Sequence, residues 1–229
     1  MADLKKLKII AKIHSDFPTK FGIPRQSGLV ESLKATVVFE PDYRNAESLR
    51  GLETFSHIWL IWGFSEAERE GWSPTVRPPR LGGNTRMGVF ATRSPFRPNA
   101  IGLSSVKLEK IEADGENGTV LHVSGADLMD GTPIYDIKPY LPLTDCRRDA
   151  VDGFAGEVSD YRLKVTVPES LADVMSERDS AALREILAQD PRPSYQHDAS
   201  RVYGFEYAGY EIKFTVENDV LTVQSMERS

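Results

Sequence analysis

The sequence predicts a mainly β protein, with an N-terminal β-barrel in residues 1–150 and a small α+β C-terminal domain in residues 151–229. Up to residue 140 the chain alternates short β-branched and aromatic runs with turns that contain glycine or proline. This region lacks the βαβ alternation of a doubly wound fold. A polar segment, residues 144–156, then separates it from a helical pattern and a final meander.

In the first half of the chain, seven segments have the composition of strands, rich in valine, isoleucine and aromatic residues. The third segment, residues 55–64, is apolar on both faces, which is typical of a strand in the middle of a sheet or a barrel wall. A short helix is predicted at residues 42–49, where Asp42 can cap its start and Gly51 can end it. The seven strand segments are residues 7–13, 34–40, 55–64, 87–91, 101–108, 119–124 and 134–138.

The C-terminal segment has a different pattern. A helix is predicted within residues 168–189, because Leu183, Ile186 and Leu187 recur at spacings of three and four. The prolines of residues 190–195 (DPRPSY) end this helix. A domain of about eighty residues is near the size at which folding alone is marginal, so we expect it to pack on the barrel. Its strand segments are residues 161–167, 202–207, 210–216 and 220–224.

The composition excludes several classes of protein. The longest apolar run, around residues 58–62, is too short to cross a bilayer, and the N-terminus lacks the pattern of a signal peptide. The single cysteine, Cys146, excludes an internal disulfide and a cysteine metal cluster. The four histidines have no ligand spacing, and His57 is interpreted as a buried, hydrogen-bonded residue. We therefore expect a soluble, cytoplasmic protein that binds no metal and no membrane.

One segment, residues 77–108, differs from the rest of the chain, and we call it the arginine-rich segment. It contains six basic residues and no acidic residue, although the whole chain has a net charge of −6. Pro95 and Pro98 stiffen the loop between its two predicted strands, which lowers the entropy lost when the loop is held in one shape. Such a loop suits an anionic or zwitterionic ligand. On composition alone, an ordinary surface loop is an equally good interpretation.

Six motifs carry a resemblance to a known family. They are FGIPRQSGLV, GLETFSHIWLI, TVRPPRLGG, RMGVFATRSPFRPNAIGLS, DGTPIYDIKPYLP and DPRPSY, in this order. With them the chain resembles, from about residue 7 to its C-terminus, the TrmO-type family of tRNA (adenine(37)-N6)-methyltransferases. The resemblance implies S-adenosylmethionine as methyl donor and a homodimer. It implies the exocyclic amine of threonylcarbamoyl-adenosine, in the anticodon loop of tRNA, as the acceptor.

The resemblance also implies where the cofactor is bound. S-adenosylmethionine presents a carboxylate, an ammonium, a ribose diol and an adenine, and the planar fork of an arginine suits the carboxylate. The implied residues lie at strand ends or in stiff loops, and for the DGT motif a plain turn is the alternative interpretation. The implied cofactor contacts are Pro24, Arg25, Gln26, Phe64, Ser65, Arg93, Leu103, Asp130, Gly131 and Thr132.

The DPRPSY motif contains the parts of the Asp/Asn-Pro-Pro-aromatic motif of other adenine amino-methyltransferases, at a wider spacing. We expect Asp190, or a neighbouring carbonyl, to accept a hydrogen bond from the target amine and Tyr195 to stack on the base. These two residues are the catalytic candidates. The alternative interpretation is a helix stop in which Asp190 is incidental.

Contacts with RNA phosphates are expected from arginines, together with a strong dependence of tRNA binding on salt. A sensor that binds the cofactor without catalysis, and a methyltransferase acting on another RNA or a small substrate, remain alternatives. No general base is identified. The candidate RNA contacts are Arg77, Arg80, Arg86, Arg97 and Arg192.

Overall fold

The computed structural model describes residues 6–67, 71–78, 85–158, 161–192 and 198–229. Within them the chain forms a closed six-stranded barrel, a four-stranded sheet and a two-stranded ribbon. This confirms the mainly β fold with a barrel followed by a small α+β domain. The strands are β1 (Ala11–Ser15), β2 (Lys34–Phe39), β3 (His57–Gly63), β4 (Thr75–Val76), β5 (Met87–Gly88), β6 (Ile101–Asp114), β7 (Gly118–Ser124), β8 (Pro133–Pro139), β9 (Lys164–Thr166), β10 (Tyr203–Tyr207), β11 (Tyr210–Glu217) and β12 (Val220–Arg228). The α-helices are α1 (Pro142–Asp145) and α2 (Glu177–Ala188).

The barrel strands follow the order β1–β2–β7–β6–β3–β8, and β8 closes onto β1 where Ile134 pairs with Ala11. All neighbouring strands are antiparallel. On β3, Ile58 and Leu60 are fully buried in the interior, whereas Trp59 between them is only partly buried. The predicted barrel-wall position of this strand is confirmed, although its apolar side chains alternate between the interior and the outer face because a barrel wall has one interior face.

A large side chain at the end of β3 is accommodated by a glycine on the neighbouring strand. Trp62 pairs with Gly102 of β6, and a Cβ atom at Gly102 would lie 2.2 Å from the indole ring. The indole N–H of Trp62 donates to the buried hydroxyl of Ser104 over 3.0 Å. The ring therefore fills the end of the barrel while its polar atom keeps a hydrogen-bond partner.

The C-terminal sheet has the order β10–β11–β12–β9, with β9 parallel to β12. Helix α2 begins after Ser176, whose hydroxyl accepts a hydrogen bond from the Asp179 N–H over 3.1 Å. Leu183, Ile186 and Leu187 are fully buried against the sheet, as their spacing predicted. The helix starts later than residue 168 because the Ser176 cap sets its first turn.

Two predictions of local structure are wrong. Residues 42–49 do not form one helix but lie in two short 3₁₀ turns, Pro41–Tyr43 and Ala46–Leu49. The side chain of Asn45 accepts from the Glu47 N–H and so starts the second turn separately. The strand predicted at residues 87–91 is extended only at Met87–Gly88 and then becomes a 3₁₀ turn.

The loop between β1 and β2, residues 16–33, connects the two hydrophobic cores, and we call it the bridging loop. Phe17, Val30 and Leu33 are buried in the apolar cluster of α2 and the C-terminal sheet, not in the barrel interior. The ring centroid of Phe17 lies 5.2 Å from that of Tyr207, and the Asp16 carbonyl accepts from the Ala208 N–H over 3.1 Å. An N-terminal segment therefore completes the core of the C-terminal domain.

Gly22 lies at a close approach of the bridging loop to the C-terminal sheet. Its φ angle is +91°, in the left-handed region, and a Cβ atom there would lie 2.2 Å from Cδ2 of Phe205. Only glycine satisfies both the backbone angle and the space.

Replacing Gly22 with alanine should lower the free energy of unfolding by about 2–4 kcal/mol, since backbone strain and overpacking against Phe205 add together. Urea denaturation measures the loss. Gly28→Ala is the matched control, because Gly28 also has a positive φ of +78° but has no atom within 4 Å of the position that a methyl group would take. The control should lose only about 1–2 kcal/mol. Equal losses for the two variants would contradict a tight contact between the bridging loop and Phe205.

Candidate functional site

A pocket of about 740 Å³ opens where the bridging loop meets one end of the barrel. This volume lies within the range of small-molecule sites, roughly 300–1,000 Å³. Its walls are the bridging loop, the residues that follow β3, the loop between β5 and β6, the start of β6 and the turn between β7 and β8.

The pocket collects most of the predicted cofactor residues, although they come from five separate segments of the sequence. The β-strands place the segment ends at the same rim of the barrel, which is why residues far apart in sequence meet there. Asp130 and Gly131 do not line the pocket. The predicted residues that line it are Pro24, Arg25, Gln26, Phe64, Ser65, Arg93, Leu103 and Thr132.

The DGT motif forms a turn at the edge of this pocket. The Met129 carbonyl accepts from both the N–H and the hydroxyl of Thr132, at 3.2 and 2.7 Å, and Gly131 has a φ of +74°. The Asp130 carboxylate points back to β1, where it accepts from the Ser15 N–H over 3.1 Å. Asp130 and Gly131 thus shape and anchor the turn, while Thr132 reaches the pocket.

Charged side chains of both signs line the pocket. Four are basic and two, Glu66 and Asp127, are acidic; the basic ones are Lys20, Arg25, Arg93 and Arg97. The guanidinium of Arg93 donates to the side-chain oxygen of Gln26, which ties the loop before β6 to the bridging loop. A ligand with one carboxylate and one ammonium finds partners for both here.

Asp127 is a pocket residue that sequence reasoning missed, because its only visible context was a turn. The Trp62 indole N–H donates to Ser104, and the Ser104 hydroxyl donates to the Asp127 carboxylate over 2.6 Å. Burial of Asp127 raises its pKa above the ordinary value, although the Ser104 hydrogen bond and the positive charge of Arg93 act in the opposite direction. A carboxylate in this environment is fixed in position and faces the pocket cations.

The remaining wall of the pocket is apolar. Trp62 and Phe64 form a tilted pair with ring centroids 4.3 Å apart. Leu103, on the neighbouring strand, is 54% exposed although it is a large apolar residue inside a barrel strand. Trp62 is buried and also lines this pocket. These side chains offer a flat apolar surface for a purine-sized group.

Arg25 connects the pocket to the DPRPSY motif of the C-terminal domain. Its Nη2 atom lies 3.5 Å from the Asp190 carbonyl oxygen and 3.4 Å from the Arg192 carbonyl oxygen. The same side chain lines the pocket. Residues 190–192 are therefore held beside the pocket by an arginine of the bridging loop.

The carboxylate of Asp190 is engaged within the C-terminal domain. Arg192 donates to its two oxygens over 2.8 Å each, and the Tyr161 hydroxyl donates to one of them over 3.2 Å. Burial by itself raises the pKa of Asp190, but the hydrogen bonds and charge of Arg192 outweigh it, so the net pKa lies below the ordinary value. The Arg192 side chain is only 8% exposed. Within residues 190–192, the acceptors that contact a pocket residue are therefore the backbone carbonyls of Asp190 and Arg192.

The other predicted residues are distributed differently. Arg77 and Arg86 are exposed beside the β4–β5 ribbon, and Arg97 lines the pocket. Arg80 and Tyr195 lie outside the described residues. In the described part of the chain no cluster of His, Cys, Asp and Glu could hold a metal ion, and no described helix is long and apolar enough to span a membrane.

Comparisons with family models, with relatives and with solved structures all indicate the same family for this chain. Family models for the tRNA-methyltransferase O N-terminal domain and the TrmO C-terminal domain match residues 12–146 and 160–229. An Escherichia coli (strain K12) protein named tRNA (adenine(37)-N6)-methyltransferase is 39% identical over 226 residues, which are 95% of this chain and 96% of the relative. A Pseudomonas aeruginosa protein named putative S-adenosylmethionine-dependent methyltransferase is 42% identical over 203 residues, 85% of each chain. A crystal structure of TrmO from that species has a TM-score of 0.81 at 33% identity, covering 100% of this chain and 99% of that one.

Replacing Asp190 with asparagine should lower the free energy of unfolding by about 2–4 kcal/mol, because it leaves the buried Arg192 cation without a counter-charge. The folded-state pKa of Asp190 is depressed, so its stabilisation is present above the unfolded-state pKa of about 3.9 and is lost as the pH falls through the folded-state pKa. Urea denaturation at neutral and acid pH measures both effects.

Asp219→Asn is the control for this prediction. The Tyr161 hydroxyl also contacts Asp219, at 3.5 Å, but Asp219 is exposed, so its replacement should cost less than about 1 kcal/mol. An Asp190→Asn protein as stable as the control at pH 7 would show that the ion pair contributes nothing.

Proposed function

This chain belongs to the tRNA-methyltransferase O family, and from that premise we propose that it transfers a methyl group from S-adenosylmethionine to the N6 amine of adenine 37 in tRNA. The observation that carries the proposal is the pocket of about 740 Å³, in which ten residues implied by the resemblance were expected and eight are found. Fold alone would support only a family, whereas this convergence supports a site.

The chemistry of the pocket fits the cofactor. Arg93 matches the carboxylate of the methionine part, and Asp127 matches either its ammonium or a ribose hydroxyl. Trp62, Phe64 and Leu103 offer apolar surface to the adenine. The volume is large enough for a nucleoside-sized ligand.

When bound, S-adenosylmethionine supplies an electrophilic methyl group, whose transfer requires neither a metal nor a redox step. On transfer, the amine nitrogen would gain the methyl group and lose its proton to water, while the sulfur would retain the electron pair of the broken bond. The contribution of the chain is positioning, which can supply roughly 7–11 kcal/mol of a barrier in the best cases. Arg93, tied to Gln26, and Asp127, tied to Ser104, each have the fixed orientation that positioning needs.

We propose threonylcarbamoyl-adenosine as the acceptor nucleoside, because its carboxylate needs a cation of its own. Arg97 and Lys20 line the pocket, and neither is paired with an acidic side chain among the residues that the structure describes. One of the pocket cations can therefore serve the cofactor and another the substrate. This assignment moves Arg97 from a phosphate contact to a contact with the modified base.

The remaining parts of the proposal rest on the resemblance. A carbonyl of residues 190–192 is the proposed acceptor for the target amine, and Tyr195 is the proposed stacking partner of the base. Exposed Arg77 and Arg86, with Arg80, are the proposed phosphate contacts. The protein acts on the anticodon loop as a homodimer in the cytoplasm, and light scattering on the purified protein tests the dimer.

The function is tested by incubating the protein with labelled S-adenosylmethionine and tRNA that either carries or lacks the threonylcarbamoyl group. We expect label on the modified tRNA and an N6-methylated threonylcarbamoyl-adenosine in nucleoside mass spectrometry. Cofactor binding without transfer to any tRNA would instead indicate a sensor, and label on another nucleoside would redirect the assignment to a different substrate.

Substitutions of two arginines should separate the cofactor site from the RNA-binding surface. Arg93→Ala should weaken S-adenosylmethionine binding about 10- to 100-fold, since a charge-assisted hydrogen bond is lost. Isothermal titration calorimetry measures this constant.

The matched variant Arg86→Ala should leave cofactor affinity unchanged, because Arg86 is exposed outside the pocket. It should weaken tRNA binding and reduce the slope of log K against log salt by about one. A loss of cofactor affinity in Arg86→Ala, or none in Arg93→Ala, would contradict this division.

A further inference from the structure

Two large aromatic residues lie together on the surface instead of in a core. Trp72 is 50% exposed and Phe90 is 73% exposed. Their ring centroids are 6.0 Å apart and their planes differ by only 24°, so the two rings form a stacked pair in solvent. Neither residue belongs to the barrel core or to the C-terminal core. Adjoining exposed aromatic rings form a contiguous apolar surface, which is typical of an interaction site.

Backbone hydrogen bonds hold this aromatic pair at the rim of the pocket. The N–H of Ser73, next to Trp72, donates to the Phe96 carbonyl over 3.3 Å. The N–H of Val89, next to Phe90, donates to the Pro74 carbonyl over 3.0 Å. Phe96 itself lines the pocket. These bonds therefore hold the backbone beside both aromatic residues close to the rim of the pocket.

The surroundings of the pair are cationic. Residues 71–78 and 85–108 contain no acidic residue, and Arg77 and Arg86 are exposed on the ribbon that carries the rings. Aromatic rings among basic residues are the chemistry by which proteins bind single-stranded nucleic acid, with the rings stacking on bases and the cations contacting phosphates. A surface for another protein has no need of a segment without acids.

A base that enters a pocket for chemistry must leave its stack, and its neighbour then loses a stacking partner. We propose that Trp72 and Phe90 form a platform on which an unpaired base next to adenine 37 stacks while the adenine occupies the pocket. This inference rests on the proposed function, and it names how the RNA is held at the same site. The platform lowers the cost of unstacking because it replaces the lost base–base contact.

The test is direct binding of an anticodon stem-loop to the Trp72→Ala/Phe90→Ala protein. Affinity should fall about 5- to 150-fold, the range found when stacking aromatics are replaced by alanine. The salt slope of binding should stay unchanged, because no charge is removed. Cofactor affinity should also stay unchanged. The single variant Trp72→Phe keeps an aromatic ring and should therefore retain most of the wild-type RNA affinity. Leu143→Ala removes a 93% exposed apolar side chain outside the arginine-rich segment and should leave the RNA affinity unchanged.

A second arm identifies the partner of the rings. A stem-loop with an abasic nucleotide beside adenine 37 should bind the wild-type protein as weakly as the intact loop binds the double variant, and the two losses should not add. Fully additive losses, or an unchanged affinity of the double variant, would overturn the platform. The platform would also be overturned if the double variant sedimented as a smaller species than the wild type and its loss of RNA affinity followed this dissociation. The rings would then form a contact between copies of the chain.

Failure of this inference is distinguishable from failure of the proposed function, because binding is measured without methyl transfer. A wild-type protein that methylates tRNA while its affinity is indifferent to the rings refutes the platform alone. A protein that stacks the loop but transfers no methyl group refutes the proposed function alone.

Discussion

The pocket depends on the bridging loop, because this loop packs into the core of the C-terminal domain and also forms one wall of the pocket. Phe17 and Leu33 are buried among the side chains of the C-terminal domain, while Arg25 and Gln26 between them line the pocket. No described residue of the C-terminal domain lines that pocket, yet the domain determines where one of its walls lies. Without the C-terminal core, the apolar side chains of the loop would face water and the loop would lose its single conformation.

The end of helix α2 shows how a helix stop and a functional position can coincide. Asp190 has a φ of +53° and its N–H donates to the Leu187 carbonyl over 3.1 Å, which is the geometry of a left-handed helix cap. Aspartate tolerates this conformation better than most residues. The pair with Arg192 then fixes the turn so that the carbonyls of residues 190 and 192 face Arg25. The motif therefore ends the helix, and the same turn carries the carbonyls that are proposed to accept the target amine.

Local pattern was enough to predict most of the strands, the helix that contains Leu183 and Leu187 and the class of fold, because each depends on neighbours in sequence. It failed where burial is decided by distant residues. Phe17 sits in a loop rich in proline and glycine, and no local signal tells which core receives it. Trp59 looked buried because it is apolar, but it lies on the outer face of β3, where it packs on Tyr140 and donates to Asp145. Asp127 was hidden for the same reason, since its partner Ser104 lies on another strand.

The net negative charge of the chain is compatible with a tRNA substrate, because basic residues are concentrated in one segment of the sequence. The longest acid-free segment of the sequence, residues 71–108, includes residues that line the pocket, whereas α2 of the C-terminal domain carries Glu177 and Asp179 in its first turn. If the first segment is the RNA-binding surface, as proposed, phosphates would be attracted to it and repelled from the start of α2, which would favour one approach of the RNA. A uniformly basic protein would bind more tightly but in many orientations. For a reaction that depends on bringing one amine to one methyl group, restricting the orientation is worth more than additional affinity.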